Sequence, residues 1–262
     1  RRQRGVALIT AILIVALATV LAVHIGYQAF LDQRRTMTTF SLDQAQQIAI
    51  GAEAWVADIL QKDARQSATT DDYTEEWAMR LPPLPVDGGE VMGQVDDMQG
   101  RFNLNNLVRW DQAANALVTD PAAVARFARL LEMLEIEDKW AGLIADWIDA
   151  DIDPQFPDGA EDSVYTGLTP PYRTANMPIT RTSELLAIAD FGLERYRKLE
   201  PYVAALPVGT AINLCTASPQ VLDALTAKQR QYTLAVQSTA QTRQQRCFPT
   251  IADLQAQLDP KE

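Results

Sequence analysis

The sequence has very few of the residues on which enzymes depend. Its 262 residues include a single histidine, His24, and only two cysteines, Cys215 and Cys247. No nucleophile motif, phosphate-binding glycine loop or zinc-ligand spacing occurs in it. A carboxylate pair such as Glu161 and Asp162 has the chemistry that a glycosidase needs, but no other feature of the sequence supports that activity. We therefore predict that the protein is not an enzyme.

Basic residues are also in short supply. There are 23 lysines and arginines against 34 aspartates and glutamates, which gives a formal net charge of −11. Binding to nucleic-acid phosphates requires clustered basic side chains, so we expect no nucleic-acid partner. An acidic surface favours basic partners or divalent cations instead. With 47% hydrophobic residues, the chain is long enough to form one or two packed domains.

The N-terminal segment contains almost no charge after the three arginines that precede Gly5. The apolar run from Val6 to Ile25 has the about 20 residues that a helix needs to cross a membrane core of about 30 Å. It is longer than the apolar core of about 7–15 residues in a secretory signal peptide. Since the arginines lie on one flank only, they predict a cytoplasmic N-terminus and a soluble part in the opposite compartment.

The helical pattern continues beyond this apolar run. Apolar residues recur at steps of three to five as far as Ile59, and no proline occurs before Pro82. We therefore expect one long helix over residues 6–66, with about residues 6–28 in the membrane. Its second half is amphipathic and is expected to lie against the soluble domain.

A basic leader that ends in Gly5 and runs directly into an apolar helix resembles the N-terminus of type IV pilin-like proteins. The resemblance implies that a prepilin peptidase cleaves after Gly5 and leaves Val6 as the first mature residue. Most members have a glutamate as the fifth mature residue, which pairs with the terminal amine of the subunit above, but this chain has Thr10. In this departure the chain resembles the minor pseudopilin K family of type II secretion systems, which shows it too. The resemblance implies a subunit at the tip. An ordinary, uncleaved membrane anchor is the alternative.

Alternating carboxylates make residues 146–162 the most chemically suggestive part of the sequence. Asp149, Asp151 and Asp153 would repel one another unless a cation lay between them. They match the first acidic positions of a calcium-binding EF-hand loop, but Pro154 and Ala160 stand where that loop needs glycine and glutamate. The stretch is therefore not an EF-hand. A cation cage of another shape and a solvated acidic loop are the two alternatives that the residues leave open.

A further resemblance bears on this choice. The stretch from Asp146 through Pro170-Pro171-Tyr172-Arg173 to Ser183-Glu184-Leu185 looks like the calcium-binding region of the K family. It implies Ca²⁺ as a cofactor, with ligands drawn from six oxygen-bearing side chains: Asp149, Asp151, Asp153, Glu161, Asp162 and Asn176. The number of ions and the identity of the direct ligands stay open.

The stretch from Asp97 to Asn105 resembles the start of the soluble domain in the same family. The family resemblance implies an α+β fold, in which a long N-terminal helix packs on a small pilin-like antiparallel sheet and a large, mostly α-helical domain is inserted. The corresponding segments are a leader at 1–5, the N-terminal helix at 6–66, the first part of the sheet at 67–112, the inserted calcium-binding domain at 113–207 and the second part of the pilin-like domain at 208–262. Within the sheet, we predict a hairpin of strands over 90–95 and 101–107. Family members usually have further strands, which we expect to follow Glu262.

Both cysteines, Cys215 and Cys247, fall in the part predicted to face an oxidising periplasm, where a cysteine pair favours a disulfide. Closing a loop of about 30 residues would stabilise the fold by roughly 3–4 kcal/mol. We predict helices over 231–246 and 251–258. The stretch from Ile212 to Ser218 also resembles helix-hairpin-helix DNA-binding modules, but their glycine hairpin does not follow it.

The family resemblance implies a minor pseudopilin that caps the pseudopilus during export of folded proteins across the outer membrane. Its implied partners are the I-type and J-type minor pseudopilins, then the H type, together with prepilin peptidase and the inner membrane. Secreted proteins are a further candidate. The implied location is the bacterial inner membrane, crossed once, with the soluble domain in the periplasm. The alternative function is a membrane-anchored periplasmic module that binds calcium or nucleic acid.

Overall fold

The computed structural model describes residues 4–66, 70–80, 82–225 and 247. Contacts between residues divide the chain into two compact units. The first unit contains Arg1–Leu60 and Leu81–Met92, and the second contains Gln61–Arg80 and Gly93–Glu262. The segment boundaries predicted at 112 and 207 stay predictions. The helices predicted over 231–246 and 251–258 lie outside the described residues.

A single helix, α1, runs from Arg4 to Gln66 without interruption. In its apolar part, the hydroxyls of Thr10 and Thr19 donate hydrogen bonds to carbonyl oxygens three or four residues earlier, so these polar side chains fit within the helix. The apolar side chains of this part are exposed, with 72% of Leu17 accessible. Within the described part of the chain, α1 alone has the length and composition of a membrane-spanning helix. The predicted long N-terminal helix is confirmed.

The first unit also contains an antiparallel hairpin of two short strands, β1 (Leu84–Val86) and β2 (Gly89–Val91). Its turn contains Gly88, whose φ of +93° lies in the left-handed region that favours glycine. The side-chain amide of Gln44 on α1 donates a hydrogen bond of 2.8 Å to the carbonyl oxygen of Asp87 in the same turn. This bond joins the hairpin to α1 beyond the apolar run.

Asparagine side chains shape the start of the second unit. Asn103 ends the strand β3 (Phe102–Asn103), and its Oδ1 accepts a hydrogen bond of 3.1 Å from the N–H of Asn105. This bond caps a short 3-10 helix, Leu104–Leu107. The strand predicted over 101–107 is therefore wrong for most of its length. The alternation of polar and apolar residues misled the prediction because the asparagine amides stabilise a helical turn here. The strand predicted over 90–95 is also shorter, since β2 ends at Val91 and pairs with β1 instead.

Asn105 then connects three parts of the second unit. It is buried, and its side chain exchanges two hydrogen bonds of 2.9 Å with the backbone of Ile179. The same amide donates to the carbonyl oxygen of Leu206 at 2.8 Å. This amide therefore stabilises the unit through hydrogen bonds to backbone groups that are distant in sequence.

The remaining strands of the second unit form two further pairs. β3 lies parallel to β6 (Val203–Ala204), and β4 (Val108–Asp111) lies antiparallel to β5 (Ala116–Thr119). Five helices complete the described part of this unit: α2 (Pro121–Met133), α3 (Trp140–Ile148), α4 (Asp162–Tyr165), α5 (Gly192–Leu199) and α6 (Pro219–Leu225). The α+β class, with its long helix and small sheets, is therefore confirmed.

One hydrophobic core holds the second unit together. Phe102 of β3 stacks on Phe127 of α2 with ring centroids 5.1 Å apart. Trp140 of α3 packs edge-to-face against the ring of Phe191, with centroids 5.2 Å apart. Leucines and isoleucines of α2 and α3 belong to the same core and are fully buried: Leu130, Leu131, Ile144 and Ile148. Burial of these side chains fixes α3 in place, and α3 carries the first carboxylates of the candidate site.

The disulfide prediction is also confirmed. Cys215 is bonded to Cys247, with Cα atoms 5.2 Å apart and a sequence separation of 32. Both cysteines are buried. The bond ties residue 247 to the chain segment that precedes α6.

Candidate metal centre

The end of α3 places the first carboxylate of the site. Asp149 is the C-cap of this helix, and its N–H donates to the carbonyl oxygen of Ala145 at 2.9 Å. The next residue, Ala150, donates its N–H to Leu117 of β5, so the chain leaves the helix beside that strand. Asp149 is fully buried, and its Oδ2 accepts a hydrogen bond of 2.6 Å from the hydroxyl of Thr119, also on β5.

Glu161 reaches the same site after the loop that follows α3. It precedes α4 as the N-cap residue, and only 3% of its surface is exposed. Its Oε2 accepts a hydrogen bond of 3.2 Å from the hydroxyl of Thr174. Burying a charged carboxylate with a single side-chain donor is unfavourable, so this position is suited to a positive partner.

Asn176 approaches from a third segment. Its φ of +47° lies in the left-handed region, which asparagine tolerates better than most residues. Its N–H donates to the carbonyl oxygen of Trp147 at 3.1 Å, and its side-chain amide donates to the carbonyl oxygen of Asp151 at 3.0 Å. These bonds hold Asn176 beside the acidic loop.

The three segments bring together a set of oxygen donors. Carboxylate oxygens of Asp149, Asp151 and Glu161 lie within 4.8 Å of one another. Three buried oxygens of these segments have no hydrogen-bond partner: Oδ1 of Asp149, Oε1 of Glu161 and Oδ1 of Asn176. Burying such atoms unpaired is unfavourable, whereas Ca²⁺ binds about 6–8 oxygens at about 2.3–2.6 Å. The donor set therefore fits a calcium ion better than it fits an empty loop.

The electrostatics of the site also fit a cation. Burial, and then repulsion from Asp146 and Asp149, raises the pKa of Glu161 to about 7. Burial also raises the pKa of Asp146 to about 7, against the lowering effect of the N–H groups that it accepts. The pKa of Asp149 is raised for the same first reason, burial. A divalent cation among these groups would favour their ionised forms and offset the raised pKa values.

Two of the residues predicted as ligands lie in other contacts. Asp153 is exposed, and its N–H donates to Oδ1 of Asp151 at 2.9 Å. The carboxylate of Asp162 accepts the N–H and the hydroxyl of Thr174 at 3.1 and 3.0 Å, and its other oxygen lies 3.4 Å from the guanidinium of Arg173. The structure thus groups Asp149, Asp151 and Glu161 and places Asn176 next to them, whereas the Asp162 carboxylate is bound by Thr174 and Arg173 and Asp153 bonds to Asp151 through its backbone N–H.

Sequence reasoning missed the two threonines that position the buried carboxylates. Thr119 lies 30 residues before Asp149, and Thr174 lies 13 residues after Glu161. A threonine in a strand has no local pattern that marks it as a donor to a distant carboxylate. Only the pairing of the chain after α3 with β5 brings Thr119 to Asp149.

A second acidic cluster lies in the same unit. Carboxylate oxygens of Asp63, Asp71 and Glu75 also lie within 4.8 Å of one another. Asp71 is exposed, and Asp63 and Glu75 are partly exposed. Burial, and then repulsion from Glu75, raises the pKa of Asp63 and of Asp71. Within the described part of the chain, none of the buried side-chain atoms without a partner belongs to this cluster.

The residues predicted for processing and assembly lie at the start of α1. Gly5 and Val6 both belong to the helix, which begins at Arg4, and residues 1–3 lie outside the described residues. Thr10 is exposed, and its hydroxyl donates to the carbonyl oxygens of Val6 and Ala7 at 3.2 and 3.0 Å. This part of α1 therefore carries no carboxylate at position 10.

Part of the chain matches a protein-family model. Residues 100–208 match the family described as "Type II secretion system (T2SS), protein K". This region includes the asparagine-bearing turn, α2, α3 and the whole candidate metal centre.

Curated relatives cover more of the chain. It is 39% identical over 220 residues to type II secretion system protein K of Pectobacterium carotovorum subsp. carotovorum. The alignment covers 82% of this chain and 67% of the relative. It is 38% identical over 239 residues to the protein of the same name from Pseudomonas aeruginosa, which covers 86% of this chain and 68% of the relative.

A solved structure is similar as well. The crystal structure of the GspK-GspI-GspJ complex from the type 2 secretion system of enterotoxigenic Escherichia coli contains a chain that matches with a TM-score of 0.67 and 26% sequence identity. The match covers 78% of this chain and 72% of the other.

Proposed function

The chain belongs to the type II secretion system protein K family, and on this premise we propose that it is a minor pseudopilin that caps the tip of a pseudopilus. Its role is structural: it serves assembly during protein export and catalyses no reaction. The observation that carries the proposal is the similarity, over 78% of the chain, to a chain of the GspK-GspI-GspJ complex. Its partners are accordingly the I-type and J-type minor pseudopilins, followed by the H type and the rest of the pseudopilus.

The apolar part of α1 is the membrane anchor. Before assembly, this part crosses the inner membrane once with its N-terminus in the cytoplasm, and the soluble domain faces the periplasm. Prepilin peptidase cleaves after Gly5 and leaves Val6 as the new N-terminus. Mass spectrometry of the chain expressed with the peptidase tests this step. A mature mass that starts at Val6, and its loss in Gly5→Leu, supports cleavage, whereas an intact N-terminus makes the segment an ordinary anchor.

The residue at position 10 explains why this subunit stands at the tip of the pseudopilus. A carboxylate there would pair with the terminal amine of a subunit stacked above, but the Thr10 hydroxyl is neutral and already bonds to carbonyl oxygens of its own helix. The chain thus offers no acid at this position to a further subunit. It packs its apolar helix against those of the subunits below.

The candidate metal centre holds a calcium ion that joins three segments of the second unit. Asp149, Asp151 and Glu161 supply carboxylate oxygens, and Asn176 supplies a neutral oxygen. The ion neutralises buried negative charge and cross-links the end of α3 to the start of α4. The unpartnered oxygens of Asp149, Glu161 and Asn176 are what support this assignment.

Co-expression tests the assembly role. The full chain, purified in detergent after co-expression with an I-type and a J-type pseudopilin, is expected to elute with both as one complex. The same chain is expected to restore secretion in a strain that lacks its own protein K. Deletion of the apolar segment Val6–Ile25 serves as the control that cannot be inserted into the membrane. Failure to bind either pseudopilin, together with failure to restore secretion, would overturn the assignment.

A further inference from the structure

The loop from Gln155 to Ala160 closes around one carboxylate of α3. Asp146 is fully buried, and it accepts hydrogen bonds from the N–H of Gln155, at 3.1 and 3.2 Å, and from the N–H of Ala160, at 2.8 Å. Ala160 is followed directly by Glu161. A single side chain on a core helix therefore fixes both ends of the loop that delivers Glu161 to the metal centre.

Gly159 allows this loop to close. Its N–H donates a hydrogen bond of 2.6 Å to the carbonyl oxygen of Gln155. A β-carbon on Gly159 would overlap the nitrogen of Gln155 and Oδ2 of Asp146, and it would lie 2.6 Å from the carbonyl oxygen of Gln155. Gly159 is not in the left-handed region, so the restriction is one of space and not of backbone conformation. Any side chain here would push the loop away from Asp146.

We propose that Asp146 and Gly159 form a latch that positions Glu161 for the cation without either residue binding the cation itself. This inference rests on the calcium site of the proposed function. The latch acts by holding the backbone at Ala160, next to Glu161, against α3. Calcium then meets a site whose loop is already in place, so less conformational entropy is lost on binding.

The contacts of Asp146 favour a positioning role over a ligand role. Both of its oxygens already accept backbone N–H groups. The carboxylates whose oxygens come within 4.8 Å of one another are Asp149, Asp151 and Glu161, without Asp146. Unlike Asp149 and Glu161, Asp146 has no buried oxygen without a partner.

Calcium titration of the full chain in detergent tests the latch, with calorimetry for the dissociation constant. The variants are Asp146→Ala, Gly159→Ala and the two combined. Gly142→Ala is the matched control, because a β-carbon there would meet only the Gln155 side chain, at an ordinary 3.7 Å. We expect Gly159→Ala to weaken calcium binding by about 10-fold or more, as for other groups that orient metal ligands. Gly142→Ala should leave the affinity unchanged.

The double variant separates a latch from two independent effects. If Asp146 and Gly159 act on one loop, the combined substitution should weaken binding by much less than the product of the two single effects. Asp146→Asn keeps one acceptor oxygen and should fall between the parent and Asp146→Ala. Luminescence of bound Tb³⁺ should report more coordinated water in Gly159→Ala, because Glu161 no longer reaches the ion. Melting in EDTA shows whether each variant is folded.

Each outcome has a distinct meaning. A parent that binds no calcium overturns the metal site of the proposed function and the latch with it. Calcium binding in the parent with unchanged affinity in Gly159→Ala overturns the latch alone. Fully multiplicative losses in the double variant overturn it as well. If Gly159→Ala does not fold, Asp146→Asn decides: unchanged affinity and an unchanged Tb³⁺ signal would exclude the positioning role.

Discussion

The two acidic clusters of the second unit have the same number of carboxylates but different surroundings. In the candidate metal centre, Asp149 and Glu161 are buried and each has an oxygen without a partner. In the other cluster, Asp71 is exposed, and Glu75 already accepts hydrogen bonds from the N–H of Asp72 at 3.0 Å and from the indole of Trp77 at 2.7 Å. Buried acceptors left unpaired, and not the number of acids, distinguish a cation site from an acidic surface.

The difference arises from the elements that carry the acids. The candidate metal centre lies at the end of α3, whose apolar residues belong to the core, so Asp149 is buried together with the helix. Asp71 and Glu75 follow the end of α1 in a segment with local hydrogen bonds. Water can solvate that cluster, and no ion is needed to balance its charge.

Removing the buried carboxylates should have the largest effect. At a calcium concentration of about 100 times the dissociation constant, binding stabilises a protein by about 2.7 kcal/mol, or about 5–10 °C in melting temperature for a chain of this size. The isosteric double variant Asp149→Asn/Glu161→Gln should lose this calcium-dependent rise. Asp71→Asn/Glu75→Gln is the matched control and should keep it. An equal loss in both would remove the distinction between the clusters.

Removing the amide of Asn176 should have the next largest effect. Glycine also adopts a positive φ, so Asn176→Gly removes the side chain without straining the backbone. We expect calcium affinity to fall by about 10-fold, because a ligand oxygen is lost. Asn115→Gly, at a φ of +50° in the turn between β4 and β5, is the control and should bind calcium normally. Calorimetry measures both, and an unchanged affinity in Asn176→Gly would exclude this oxygen from the site.

Removing the hydroxyl of Thr119, which donates to Asp149, should weaken calcium binding somewhat less. Thr119→Val keeps the shape of the side chain and removes the hydroxyl that lies 2.6 Å from Oδ2 of Asp149. A net hydrogen bond to a charged group contributes about 1.5–3 kcal/mol, part of which the ion can replace, so we expect a loss of affinity of about fivefold. Thr210→Val removes a hydroxyl that bonds to the carbonyl of Pro207 and is the control. Equal affinities of the two variants would contradict the positioning role of Thr119.

The smallest effect is expected in the second cluster. It is a gain in stability, whereas the preceding substitutions cause losses. Burial and Glu75 raise the pKa of Asp71, so its charged form destabilises the folded state above that pKa. Asp71→Asn should therefore raise the melting temperature at pH 7, by less than about 1 kcal/mol of stability because the group is exposed. The gain should disappear below about pH 4, where the carboxyl of the parent is protonated in both states. Melting curves at several pH values measure this, and a loss of stability at pH 7 would contradict it.

The sequence predicted the parts of this molecule that depend on local pattern. The long apolar run and its helical continuation predicted α1. The start of α2 also follows a local rule, because Asp120 directly precedes Pro121 and accepts hydrogen bonds from two N–H groups of the first turn. The alternating acids located the loop that carries Asp149, Asp151 and Glu161. Family resemblance, and not the residues alone, added Asn176.

Long-range contacts explain what the sequence did not predict. The segment 101–107 alternates like a strand, yet the amides of Asn103 and Asn105 bond to residues about 75–100 positions later and favour a helical turn. Likewise, Asp162 belongs to the acidic stretch, but its carboxylate is bound by Thr174 and Arg173, which follow α4 in the chain. No local spacing shows which of several acids turns inward, because the fold of distant segments decides it.

The parallel pairing of β3 with β6 has a consequence for how this domain can vary. Phe102 lies opposite Val203, and Asn103 lies opposite Ala204, so the chain leaves and returns at neighbouring points about 4.8 Å apart. The segment between these strands, which includes α2, α3 and the candidate metal centre, therefore begins and ends at adjacent positions. It is not independent of the rest of the unit, because Arg129 of α2 donates a hydrogen bond of 3.1 Å to the carbonyl oxygen of Ala224 in α6, which follows β6. We therefore expect a change in the length of this segment to be tolerated only where it leaves α2 in contact with α6.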